Sequence, residues 1–146
     1  IVEPEVLMDG AHNIDKCYQV TTDVLNECYN ELKIHKVDLS GTVLKPNMIV
    51  PGSKCRDKCS TAEIAKKTLD CLKKNVPSIV PGIAFLSGGQ SEIESSKNLN
   101  EINKILIKTR KKAIRKKVGE KKKGRRKPVC RPVLLISDSS CDEKIE

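Results

Sequence analysis

With 146 residues, one Phe, two Tyr and no Trp, the chain has room for one ordinary domain whose core must rest on Ile, Leu, Val and Ala. Its net charge of +9 is confined to one segment: residues 1–107 carry −1, residues 108–127 carry +12 and residues 128–146 carry −2. No apolar run approaches the ~20 residues a bilayer requires, and seven irregularly spaced cysteines argue for reduced thiols in the cytoplasm rather than a disulfide framework.

The sequence opens at Ile1 inside a strand-like run, which predicts a segment cut from something longer. Residues 1–7 read as a strand, with Glu3 and Glu5 two apart and therefore on one face. Asp9-Gly10 signals a turn. From His12 to His35, Ile14, Cys17, Thr21, Leu25, Cys28 and Leu32 recur at helical spacing and predict an amphipathic helix. Residues 39–44 predict a second strand, which runs into Lys45-Pro46-Asn47. After a loop beginning at Pro51-Gly52, Ser60 and Glu63 form a capping-box pattern. Behind it, Ile64, Thr68, Leu69, Leu72 and Val76 line one helical face. Residues 82–86 are a continuously apolar third strand, followed at once by Ser87-Gly88-Gly89. Ser91 and Glu94 repeat the capping pattern and start a helix through Leu99, Ile102 and Leu106.

Residues 1–107 thus form three consecutive strand–helix units. Short buried strands alternating with amphipathic helices imply a parallel α/β sheet with right-handed crossovers. Chemistry-bearing groups recur at three successive strand ends, 42 residues apart from Glu3 to Lys45 and again from Lys45 to Ser87. That favours a partial (β/α)8 TIM barrel. Three units cannot close a barrel; they leave open edges and an uncovered inner face. Residues 108–146 form a second region. Residues 108–127 are nearly all Lys and Arg, with too few apolar side chains to order them, and residues 129–136 are a short apolar run interrupted by Arg131 and Pro132.

Three stretches bear on chemistry. Lys45 closes an apolar, β-branched segment and is followed by proline; a partly desolvated lysine at a strand's mouth can attack a carbonyl. Taken alone, such a lysine simply reaches into water. A Glu-x-Glu pair on a strand is, by itself, a solvated face. Ser-Gly-Gly before a helix lets the backbone approach an anion and offer N–H groups, although the same residues often make an ordinary turn.

These stretches, Ile1-Val2-Glu3-Pro4-Glu5-Val6-Leu7, Gly41-Thr42-Val43-Leu44-Lys45-Pro46-Asn47-Met48 and Phe85-Leu86-Ser87-Gly88-Gly89-Gln90-Ser91, resemble class I fructose-bisphosphate aldolases in the family's own order. Asn98-Leu99-Asn100-Glu101-Ile102-Asn103 resembles the family's next helix, so that the likeness covers residues 1 to about 104. It implies the fifth to seventh units of a (β/α)8 barrel and a glycolytic lyase that splits fructose 1,6-bisphosphate. By that resemblance Lys45 forms a Schiff base with the ketose, Glu3 handles protons during imine formation, and Glu5 lies near the lysine. Ser87, Gly88 and Gly89 hold one substrate phosphate. The resemblance implies a sugar-phosphate substrate and a homo-oligomer; no cofactor and no metal are expected.

The departures matter too. The family's first four units are missing, as are its last strand with a Tyr-Gly-Arg phosphate-binding run and its tyrosine terminus. Without the pocket and cationic neighbours that those units bring, Lys45 is expected to behave as a solvated amine in this chain, which is expected to be inactive by itself. The non-catalytic alternative is a truncated product whose residues 108–127 make weak contacts with polyanions; it lacks aromatics for base stacking. Cys55-x₃-Cys59 with His12 and His35 lacks the second close ligand pair that a zinc site requires.

Overall fold

The computed structural model describes residues 1–119 and 133–135. Helix α1 spans Ile14–Ile34; its N-cap Asn13 accepts from the Lys16 N–H at 2.9 Å, which sets the start two residues past His12. Strand β1 is Val43–Leu44, α2 is Thr61–Asn75, β2 is Gly82–Phe85, α3 is Glu92–Gly119 and β3 is Val133–Leu135. The strands are parallel in the order β1-β2-β3, with Leu44 opposite Ile83 and Ala84 opposite Leu134. This is the sequential order that strand–helix–strand units produce.

The helices pack on the sheet around Leu25 and Tyr29 of α1, Leu69 and Leu72 of α2, Phe85 of β2 and Ile102 of α3. Leu25, Phe85 and Ile102 have no exposed surface. Thr68, equally buried, uses its hydroxyl to accept from the Ile49 N–H at 2.9 Å and so docks α2 onto the chain leaving β1. No helix among the described residues is long and apolar enough to cross a membrane.

Four expectations need correction. The predicted first strand, residues 1–7, forms an isolated parallel bridge, Val2 to Leu44, rather than a ladder. Val2 donates to the Val43 carbonyl and accepts from the Lys45 N–H, but Pro4 has no N–H to continue, and the Val6 N–H is taken by the Asn47 side chain. The predicted second strand begins late. Asp38 accepts from the N–H and hydroxyl of Ser40, winding Leu39–Gly41 into a 3₁₀ turn before extension resumes at Val43. The boundary at 107/108 is crossed by α3, which runs through the basic residues to Gly119 instead of giving way to a disordered tail there. Residues 108–118 contain neither Gly nor Pro, and Lys, Arg and Ala are good helix formers. The apolar run near residues 129–136, given no structure from sequence, supplies β3. The remainder of the predicted tail, residues 120–132 and 136–146, lies outside the described residues.

The loop after β1 fits against the turn before α1 with little room to spare. Gly52 donates to the His12 carbonyl at 2.9 Å, and a Cβ on it would sit 2.4 Å from the Gly10 carbonyl oxygen. Gly52→Ala should therefore lower stability by about 1–3 kcal/mol, the usual cost of overpacking. Gly41→Ala, where nothing lies within 4 Å, should stay within about 0.5 kcal/mol. Urea unfolding of both variants checks this, and equal effects would contradict the close approach.

The α1–α2 interface makes a second prediction. Cys17 and Cys71 are buried in it, with Thr22 Oγ1 3.5 Å from the Cys71 sulfur. Burial pushes both thiols up, against smaller opposing hydrogen bonds. Because the thiolate is the reactive form, an alkylating agent near neutral pH should modify the half-buried Cys28 and Cys55 well before Cys17 and Cys71. Peptide mapping of a timed reaction would show it; equal rates at all four would mean that this interface is not packed.

Candidate active site

β1 delivers Lys45 to the carboxyl end of the sheet and fastens it on both sides. Its N–H donates to the Val2 carbonyl at 2.7 Å, and one residue on, the Pro46 carbonyl accepts from the Leu86 N–H at 3.3 Å. Lys45 is only 8% exposed. Lys45, expected to behave as a solvated amine, thus has its side chain largely buried here, with Glu3 against its ammonium. Lys45 Nζ lies 3.3 Å from Glu3 Oε2, an ion pair in which the carboxylate remains half exposed. A carboxylate that touches both the amine and the solvent can pass protons between them.

Glu5 is exposed and faces a different neighbour. Its Oε1 lies 3.9 Å from where a Cβ on Gly88 would stand, so the second glutamate abuts the Ser87-Gly88-Gly89 turn. The glycines of that turn have φ of +62° and +78°, a conformation that residues with a Cβ rarely adopt. Ser87 is partly buried, and its carbonyl accepts from the backbone and side-chain amides of Gln90 at 3.3 and 2.8 Å. The Gln90 Oε1 in turn accepts from Asn98 of α3 at 2.7 Å. The turn is thereby braced against the helix that follows it. At the start of α3, Ser91 and Glu94 satisfy each other's N–H groups. Chiefly the Ser91 hydroxyl, and then its N–H, holds the Glu94 carboxyl below its ordinary range.

The structure therefore brings Lys45 and Glu3 together directly, and Glu5 together with the glycine turn, all at one end of the sheet. Three residues with a hand in this arrangement were missed in the sequence: Asn47, Gln90 and Asn98. Asn47 is almost fully buried; its Oδ1 accepts from Val6 N–H at 3.1 Å, while its Nδ2 donates to the Met48 carbonyl and reaches Thr21 of α1. A signal existed for Asn98, an amide on the same helical stripe as Ile102. A buried polar side chain there needs a partner.

A cleft of about 380 Å³ lies beyond the turn, lined among others by Met8, Ser53, Lys58, Gln90 and Lys97. Of the residues singled out in the sequence as site residues, Gly89 alone lines it. Among the described residues, no group of three or more His, Cys, Asp or Glu side chains is placed to hold a metal ion.

Comparison with known proteins gives a consistent result. The family model described as glycolytic, fructose-bisphosphate aldolase class I, matches residues 1–114, about ten residues further than the likeness seen by motif. Over 105 residues the chain is 53% identical to cytosolic fructose-bisphosphate aldolase 4 of Arabidopsis thaliana, covering 72% of this chain and 27% of the relative. It is 54% identical to mouse fructose-bisphosphate aldolase C over 104 residues, 71% of this chain and 29% of the relative. The chain thus spans less than a third of the length of these curated relatives. A solved Plasmodium falciparum fructose-bisphosphate aldolase superposes with a TM-score of 0.67 at 46% identity, over 68% of this chain and 29% of that one. With a family model matching 114 consecutive residues, and its lysine, glutamates and glycine turn gathered at one sheet end, the chain belongs to the class I fructose-bisphosphate aldolase family.

Proposed function

We propose that this chain contributes the imine-forming half of a fructose 1,6-bisphosphate lyase site within a (β/α)8 barrel, and that it does not turn over substrate without the rest of that barrel. The observation that carries this reading is the Lys45–Glu3 pair, 3.3 Å apart at the carboxyl end of a parallel strand. Family membership and the nearby glycine turn support it.

The chemistry follows from what an amine and a carboxyl group can do. Breaking the C–C bond β to a ketone leaves an electron pair that a protonated imine can absorb. Lys45, once its proton has left, attacks the ketose carbonyl and forms a carbinolamine. Glu3 takes the ammonium proton and later returns one to the departing hydroxyl, which leaves as water. Cleavage releases glyceraldehyde 3-phosphate and leaves an enamine; protonation and hydrolysis of the enamine free dihydroxyacetone phosphate and Lys45. The Gly88–Gly89 turn offers backbone N–H groups to one substrate phosphate, and Glu5 sits where it shapes the edge of that turn.

Two requirements point outside this chain. An ammonium held by a carboxylate is no nucleophile until substrate binding and a base displace its proton. A bisphosphate also needs two grips, of which the glycine turn is one. Fixing the reacting groups can supply up to ~7–11 kcal/mol of barrier lowering, and half-held substrate forfeits much of it. Family resemblance further suggests a homo-oligomer and a cytoplasmic setting.

Borohydride trapping tests both parts. With dihydroxyacetone phosphate present, the same residues embedded in a full-length family member should be reduced onto Lys45, and Lys45→Arg should abolish the adduct. The 146-residue chain alone should show no stoichiometric adduct. An adduct on another lysine in the full-length protein would overturn the assignment of Lys45. Stoichiometric labelling of Lys45 in the isolated chain would overturn its dependence on the rest of the barrel.

A further inference from the structure

Beyond Leu106, α3 turns to solvent. Ile102 is fully buried and Leu106 half-buried, whereas every residue from Ile107 to Lys112 is exposed. A helix that packs on a sheet should end, or turn polar on one side only, where the sheet ends. This one continues to Gly119 and becomes cationic: positions 108–119 hold Lys108, Arg110, Lys111, Lys112, Arg115, Lys116 and Lys117, and no acidic residue. Thr109 donates its hydroxyl to the Ile105 carbonyl at 2.9 Å, turning its one polar group back onto the helix. Lys104, one turn earlier, is paired with Glu101 at 3.2 Å; beyond it the sequence offers α3 no further carboxylate.

The charges are also in register. At 3.6 residues per turn, positions 108, 111, 112 and 115 fall within about 60° of one another's mean direction and span about 10 Å of axis. Duplex nucleic acid presents one negative charge per about 1.7 Å of its own axis, so four cations in such a row meet several phosphates at once. A lipid surface would call for a helix with a broad face of Trp, Phe or Leu. Here the large apolar residues of positions 107–119 are Ile107, Ile114 and Val118, with no aromatic. The missing aromatics equally argue against stacking on single-stranded bases and favour contacts with the backbone alone.

We propose that residues 107–119 of α3 act as an arm that binds the phosphate backbone of duplex nucleic acid without sequence preference, through the row Lys108, Lys111, Lys112 and Arg115. The arm is separate from the Lys45 site, and its binding does not depend on aldolase chemistry.

The test uses the whole chain and a fluorescent mixed-sequence DNA duplex, titrated between about 50 and 200 mM salt. Four phosphate contacts predict a slope of log K against log salt of about −3.6, hence a loss of about 100-fold in affinity over that range. Replacing all four residues by glutamine, itself a good helix former, should remove at least ~10-fold of the affinity and flatten the slope by about 3.6. Circular dichroism confirms that the helix persists in the variant. Unchanged affinity in the variant would overturn the proposal by placing the attraction elsewhere, for example in residues 121–127. Duplex binding that depends on sequence, or anionic phosphatidylserine vesicles outcompeting the duplex for the arm, would overturn it as well.

Discussion

The whole arrangement at the carboxyl end of the sheet depends on one buried amide. Asn47 stands two residues past Lys45, where β1 has ended and the chain is still fully enclosed. Its side chain ties the Glu3–Glu5 segment, through Val6, to the backbone after β1 and to α1. The first segment has little else. Its backbone touches the sheet only around Val2, since Pro4 interrupts any longer ladder. An unpaired amide in this position would cost about 1–3 kcal/mol, so the hydrogen bonds to Asn47 are obligatory rather than decorative. By fixing Val6 they hold Glu5 against the glycine turn, while the pairing at Val2 holds Glu3 against Lys45.

Much of this was legible in the residues because the local signals agree with the fold. The helical spacing of Ile14 to Leu32, the two capping boxes and the apolar run before Ser87 each specify an element whose type needs no tertiary information. The Glu-x-Glu and Lys-Pro-Asn stretches became a site only through their order along the chain. Proximity was not readable from spacing; it comes from parallel pairing, which sets residues 42 apart side by side.

Where the reading failed, a local hydrogen-bonding choice outweighed the pattern. Asp38 and Ser40 could close a turn on themselves, and that turn consumed half of the expected second strand. Pro4 and the Asn47 amide likewise took the first strand out of the ladder. For α3 the failure was different. Lack of apolar periodicity was read as lack of structure, but a helix already nucleated on a packed face propagates through any run of good helix formers. Lys45 is largely buried even without the distant units that were to desolvate it, and Glu3 lies against its ammonium.

The spacing that builds the sheet also sets how the chain must find it. Val43 pairs with Gly82, and Val2 with Leu44, so each parallel contact closes a loop of about forty residues before it yields a single hydrogen bond. The helices, by contrast, form from neighbours in sequence. Chains dominated by distant pairings fold more slowly than helical ones of similar size, and their strand edges stay open to other chains in the meantime. Val2, Leu44 and Ile83 come from distant parts of the chain, so the geometry around Lys45 rests on the contacts whose closure costs most.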